Sequence, residues 1–290
     1  MSATLTTVAG ALGPLLDPFD GEIMRRALLE VLLLGTAGGL LGTWIVANRL
    51  TFTGEALPHA MFPGLVGAAL LGVPLVVGGA VGLLVAAVLI ALASRIETID
   101  RDTAVAVVFT SLFGLGVLLA LSPDSPAAVR ALLFGDVLGL TDGDLLVAAG
   151  LTTVVAVALW TLHPRLTATA FDRSAARSFG VRPGTVDLAL VALIAVATLV
   201  CVQALGNLFV AATLVGPAAA AHALGRRVAA TMAIAVALAV LSGVGGLLLS
   251  FHAGTAAGAS IALVTVATYL VVVLVARVPF RRPTGHPVGR

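Results

Sequence analysis

The 290-residue sequence contains no lysine; all sixteen of its basic residues are arginine. A phosphate-cradling P-loop needs its lysine and a Schiff-base mechanism needs a reactive amine, so both chemistries are excluded. Cysteine is nearly absent too. The single Cys201 falls in an apolar run, which rules out an intrachain disulfide and argues against a thiolate metal cluster. Charge is scarce: 10% of residues are charged and 60% are apolar. No soluble fold hides that much Leu, Val and Ala from water, so the chain reads as an integral membrane protein. Its apolar runs are long and do not alternate, which points to helices and away from a barrel. Neither a Gly-x-Ser-x-Gly elbow nor a His-Glu-x-x-His pair is present, which disfavours a membrane-embedded hydrolase. No basic residue precedes the weak apolar stretch of the first 21 residues, so no cleaved signal peptide is expected.

What the sequence does hold is a series of spans. Apolar stretches at roughly 28–47, 56–71, 75–94, 103–121, 145–163, 186–205, 207–224, 228–249 and 258–277 predict a polytopic all-α protein with about eight or nine transmembrane helices. Residues 1–27 read as an interfacial N-terminal segment, 28–277 as the membrane domain and 278–290 as a polar cytoplasmic tail. Arginine sets the orientation. With the loop 164–184 cytoplasmic, thirteen arginines fall inside and only Arg25, Arg26 and Arg130 outside. The basic pI near 9.5 therefore reports topology, and no nucleic-acid partner is expected. Gly35 and Gly39, Gly38 and Gly42, Gly78 and Gly82, and Gly254 and Gly258 recur at four-residue spacing, as close helix packing in lipid requires.

Polar groups inside the spans carry the functional content. Glu30, Asp102, His163, Asp187, Gln203, Asn207, His222 and His252 each admit a structural reading. In that reading His163 is interfacial, His222 caps a helix end, His252 sits in an outer loop, and Gln203 bonds to Asn207. Asn48–Gly64, NRLTFTGEALPHAMFPG, is different because Glu55 and His59 occur there among helix breakers. Gly54, Pro58, Pro63 and Gly64 make a continuous helix over 50–70 improbable. Interrupted helices expose carbonyls and helix ends that hold ions at mid-membrane. A carboxylate and an imidazole suit Zn²⁺ or Mn²⁺ better than an alkali ion. Two readings stand at this point: ligands on a metal path, with further ligands from elsewhere in the chain or from a second copy, or an ion-paired cluster with Arg49 at the inner surface. Pro58 is expected to push Leu57 out of the α region, which would separate Glu55 and His59 onto different faces.

Five stretches in order resemble the permease subunits of bacterial zinc and manganese ABC transporters, the ABC-3 family. They are MRRALLEVLLLGTAGGLLGTWIVANRLTFTGEALPHAMFPG (24–64), DTAVAVVFTSLFGLGVLLA (102–120), LLFGDVLGLTDGDL (132–145), FDRSAARSFGVRP (171–183) and GNLFVAATLVGPAAAAHAL (206–224). The resemblance implies a multi-pass permease of the bacterial inner membrane that binds no permanent cofactor and has no ATPase site of its own. It would import zinc or, next in order, manganese. Implied partners are a separate ATP-binding cassette subunit, an extracytoplasmic metal-binding protein, a second permease chain in a homodimer, and membrane lipid. His59 matches the family's histidine, while Glu55 stands where the family usually has Asp and Pro58 where it has Ser. Residues 171–183 match the segment that docks onto the ATPase, with Asp172, Arg173, Ala176, Arg177 and Gly180 as coupling residues. Independently, Asp172–Phe179 can form two helical turns, with Asp172 or Ser174 as cap and Gly180 as stop. The rival functions are a permease for iron chelates or cobalamin, and a secondary transporter using Glu30 or Glu55 as its titrating carboxylate.

Overall fold

A computed structural model describes residues 17–93, 100–123, 139–225 and 227–277. After a 3₁₀ turn at Asp17–Asp20 come α1 (Glu22–Ala47), α2 (Thr51–Ala60), α3 (Phe62–Leu71) and α4 (Leu75–Ala93). Then follow α5 (Arg101–Ala120), α6 (Asp142–Phe171), α7 (Arg173–Ser178), α8 (Pro183–Ala223), α9 (Val228–Ala253) and α10 (Ala257–Arg277). Among the described residues, seven helical stretches are long and apolar enough to cross a membrane, on α1, α4, α5, α6, the first half of α8, α9 and α10. The α2–α3 pair and the second half of α8 are two further helical stretches beside these seven, where the sequence predicted about eight or nine spans.

α1 forms the centre of the bundle, against α9, α8 and α6. Its glycines divide between two neighbours. A Cβ on Gly35 or Gly39 would press on Ala239 or Val236 of α9, and one on Gly38 or Gly42 on Thr213 or Leu214 of α8. In lipid, apolar side chains gain nothing by leaving solvent for a neighbouring helix, so close backbone approach supplies the dispersion that holds these helices together. α4 shows the same logic: Gly78, Gly79 and Gly82 are its buried face, while Val81, Leu84, Val88 and Leu92 point outward. Gly254 serves another purpose. It ends α9 in the left-handed region at φ 62°, with open space around its α-carbon.

α8 is two helices joined at Gly206, whose φ of 80° and ψ of 166° are not helical. Its first half borders the end of α4, with Asp187 near Ile90 and Ala91, and then reaches the start of α4 at Gly79 through Leu199. Its second half follows α1, with Thr213 at Gly38 and Ala218 at Gly42. The chain therefore turns back at Gly206, which explains two expected spans joined by almost nothing.

Two helices extend beyond their expected ends. α1 starts at Glu22, where residues 22–27 were expected to be interfacial; Arg26 there bonds Glu22 at 2.9 Å and Asp142 at 3.1 Å. α6 continues through Pro164 to Phe171, beyond the expected end at His163. Its 30 residues measure about 45 Å, longer than the ~30 Å hydrocarbon core, so the helix extends past it.

Candidate metal path and coupling helix

The interrupted segment begins where α1 ends. Asn48 donates its side-chain amide to the Trp44 carbonyl and accepts a hydrogen bond from Thr169 of α6 at 2.9 Å. Arg49 then takes a positive φ of 59°, and the Leu50 N–H returns to the Ile45 carbonyl. This tight connection sets α2 off in a new direction. The break expected among Gly54, Pro58 and Pro63 lies at Met61, between two ten-residue helices.

Pro58 does not displace Leu57, contrary to expectation: α2 is helical from Thr51 to Ala60. The proline forgoes a bond to the Gly54 carbonyl, and the helix ends within a turn of it. Because α2 stays helical, Glu55 and His59 occupy successive turns of one face. Both line a cavity of about 520 Å³ with Thr51 of α2, Val215 and Gly216 of α8, and Thr265 and Tyr269 of α10. The His59 ring is half-buried against α5, 5.1 Å from Phe113 and 6.2 Å from Phe109 between centroids. Phe109 and Phe113 lie midway along α5, and Thr265 midway along α10, so the cavity is at mid-membrane depth. Glu55 is exposed to it and close enough to act electrostatically on His59. Arg49 pairs with neither residue, among the described contacts. No group of three or more His, Cys, Asp or Glu side chains converges among the described residues. One chain thus contributes a carboxylate and an imidazole, with hydroxyls nearby.

The segment 171–183 folds as its sequence suggests. Asp172 caps α7, accepting from the Ser174 N–H at 2.7 Å and the Ala175 N–H at 3.0 Å, and these bonds hold its carboxyl below the usual carboxylate range. Ala176 is buried, Arg177 is exposed, and Gly180 ends the turn at φ 77°. Phe171 and Phe179, on either side, are 93% and 82% exposed, a profile suited to a protein surface or the lipid headgroups. Arg173 is held within its own chain by Asp187 at the start of α8.

Sequence reasoning missed Thr265 and Tyr269 and did not find the partner of Asp187, because nothing in their neighbourhoods marks which distant element they face. Glu30 is fully buried, and neither of its carboxylate oxygens has a hydrogen-bond partner among the described residues. His163 is exposed and stacks edge-on against Trp44 at 5.3 Å. His222 bonds back to the Ala218 carbonyl near its helix end. His252 belongs to the last turn of α9, not to a loop, and is exposed. The side chains of Arg101, Gln203 and Asn207, the arginines at 95, 130 and 226, and the tail 278–290 lie outside the described residues.

The family model described as the ABC 3 transport family matches residues 20–276. A manganese import system permease protein, ScaB of Streptococcus parasanguinis, is 28% identical over 268 residues, covering 92% of this chain and 95% of the relative. The chelated iron transport system membrane protein YfeC of Yersinia pestis is 28% identical over 256 residues, covering 88% and 87%. Among solved structures, PsaBC from Streptococcus pneumoniae in complex with Fab superposes with a TM-score of 0.80 at 24% identity, covering 90% of this chain and 95% of that one. At that identity the superposition speaks to the fold.

Proposed function

Because the chain belongs to the ABC 3 transport family, we propose that this multi-pass protein of the bacterial inner membrane imports a divalent metal ion, powered by a separate ATP-hydrolysing subunit. The observation that carries the reading is the placing of Glu55 and His59 on one face of a broken helix, in a cavity at mid-membrane depth. A bare divalent charge in hydrocarbon is prohibitive, and a carboxylate with an imidazole replaces part of its hydration shell. Two ligands bind weakly enough to release the ion, as transport demands. Manganese ranks first among the cargoes because relatives are named for it, and zinc is the alternative that the same donor pair admits.

A lone chain would expose Glu55 toward lipid, at a cost of about 2.5 kcal/mol or more. A second permease chain set against α2, α8 and α10 would cover it and double the donor set, which favours a homodimer. The ATPase would dock on α7, and an extracytoplasmic metal-binding protein would deliver the ion. The second reading is a chelate permease, favoured by the relative named for chelated iron.

The test is uptake of radiolabelled manganese and zinc by cells carrying wild type, Glu55→Ala or His59→Ala, with membrane insertion checked in parallel. Loss of uptake in both variants, for whichever ion wild type moves, is the expected result. Uptake that survives both substitutions would make these residues structural.

A further inference from the structure

Arg173 on α7 and Asp187 on α8 form a two-pronged ion pair, with Nη2 2.5 Å from Oδ2 and Nη1 3.3 Å from Oδ1. The acid is nearly buried at 8% exposure, whereas the arginine side chain keeps 43%. Such a fork fixes orientation as well as distance. The pair therefore sets where α7 sits on α8.

Asp187 has a second relationship. With Leu188 and Val191 it borders a cleft of about 410 Å³ against Thr53 and Leu57 of α2. Those two residues are on the back of the helix whose front presents Glu55 and His59 to the cavity. Farther along, beyond the reversal at Gly206, α8 supplies Val215 and Gly216 to that cavity directly. One helix, joined to α7 by this ion pair, thus borders both sides of α2.

We propose that Arg173 and Asp187 act as positioning residues, forming the clamp through which movement of α7 reaches α8 and reshapes the cavity around Glu55 and His59. The inference rests on the reading of α7 as the segment that an ATPase subunit docks onto. A displaced α7 would pull the start of α8 through the fork, whose acidic end is anchored at a site of low exposure.

The experiment uses the full permease with its ATP-binding subunit in proteoliposomes, and records three quantities: ATPase subunit retained, ATP hydrolysed, and manganese or zinc taken up. Arg173→Gln and Asp187→Asn should each keep the ATPase subunit bound and hydrolysing, while uptake per ATP falls about tenfold. The double variant should be no worse than Asp187→Asn alone, since both changes break one interaction. Arg173→Lys, which keeps the charge and loses the fork, should recover part of the coupling. If Asp187→Asn fails to insert, Asp187→Glu enters the same cycle, with partial recovery expected. Additive losses, or unchanged uptake per ATP, would overturn the clamp. So would release of the ATPase subunit by Arg173→Gln but not by Asp187→Asn, because Arg173 would then be a docking contact. A wild type that retains no ATPase subunit or moves neither ion overturns the permease reading and the clamp together.

Discussion

The imidazole of His59 stands edge-on to the ring of Phe113, with centroids 5.1 Å apart and an interplanar angle of 75°. Phe113 also meets Phe62 at 5.7 Å, across the break between α2 and α3. One aromatic ring on α5 therefore contacts the proposed ligand and the start of the next helix. The imidazole is braced on that side and faces the cavity on the other.

Removing the brace should weaken metal capture without removing a ligand. An edge-to-face aromatic pair contributes about 1 kcal/mol beyond its area, equal to roughly a fivefold change in affinity. Phe113→Ala is expected to raise the apparent KM for uptake by about that factor, with maximal uptake less affected. Uptake measured against metal concentration checks it, and an unchanged KM would show that the ring does not set the imidazole.

Two glycines of α3, three residues apart, should respond in opposite ways to one methyl group. A Cβ on Gly64 would overlap the Gly78 carbonyl oxygen and lie 2.9 Å from the Gly82 α-carbon, backbone that cannot step aside. Gly67 has open space at the corresponding point. Gly64→Ala should therefore cost about 1–3 kcal/mol by forcing α3 and α4 apart, whereas Gly67→Ala should be neutral. Thermal unfolding of the two detergent-purified variants distinguishes them.

Gly206 holds the reversal in α8 at a backbone conformation that glycine alone adopts readily. Gly206→Ala is expected to destabilise the protein by about 1–3 kcal/mol and to reduce uptake, since the second half of α8 lines the cavity. Wild-type uptake and thermal stability in that variant would mean that the turn tolerates a side chain.

Asp172 links α7 to pH. Its folded-state carboxyl is held below the ordinary range by bonds from the Ala175 and Ser174 N–H groups. The contribution of this cap is therefore complete above the ordinary carboxylate pKa and lost as pH falls through the lowered folded value. Near neutral pH, Asp172→Asn should preserve uptake, because the amide oxygen still accepts, and Asp172→Ala should reduce it. On acidification the wild type should lose coupling only below the ordinary carboxylate range, while Asp172→Asn should show no such titration. Uptake profiles against pH for the three proteins provide the measurement.

The sequence by itself determined the class, the helices and the interruption near Glu55 and His59. Those features are local. Lipid leaves the backbone no partner but its own helix, and clustered prolines and glycines interrupt it near their place in the chain. The cap of α7 by Asp172 and its stop at Gly180 were legible for the same reason. Only the tertiary structure decided which faces meet. In a soluble helix, a polar side shows by contrast which side is buried; here both lipid-facing and bundle-facing sides are apolar, so the pattern is silent. That is why Tyr269 and Thr265 joined the cavity unannounced, and why Gly254, spaced like a packing glycine, proved to be a helix stop. The partnership of Arg173 and Asp187 was hidden as well. It depends on where α8 lies under α7, which a separation of fourteen positions along the chain does not dictate.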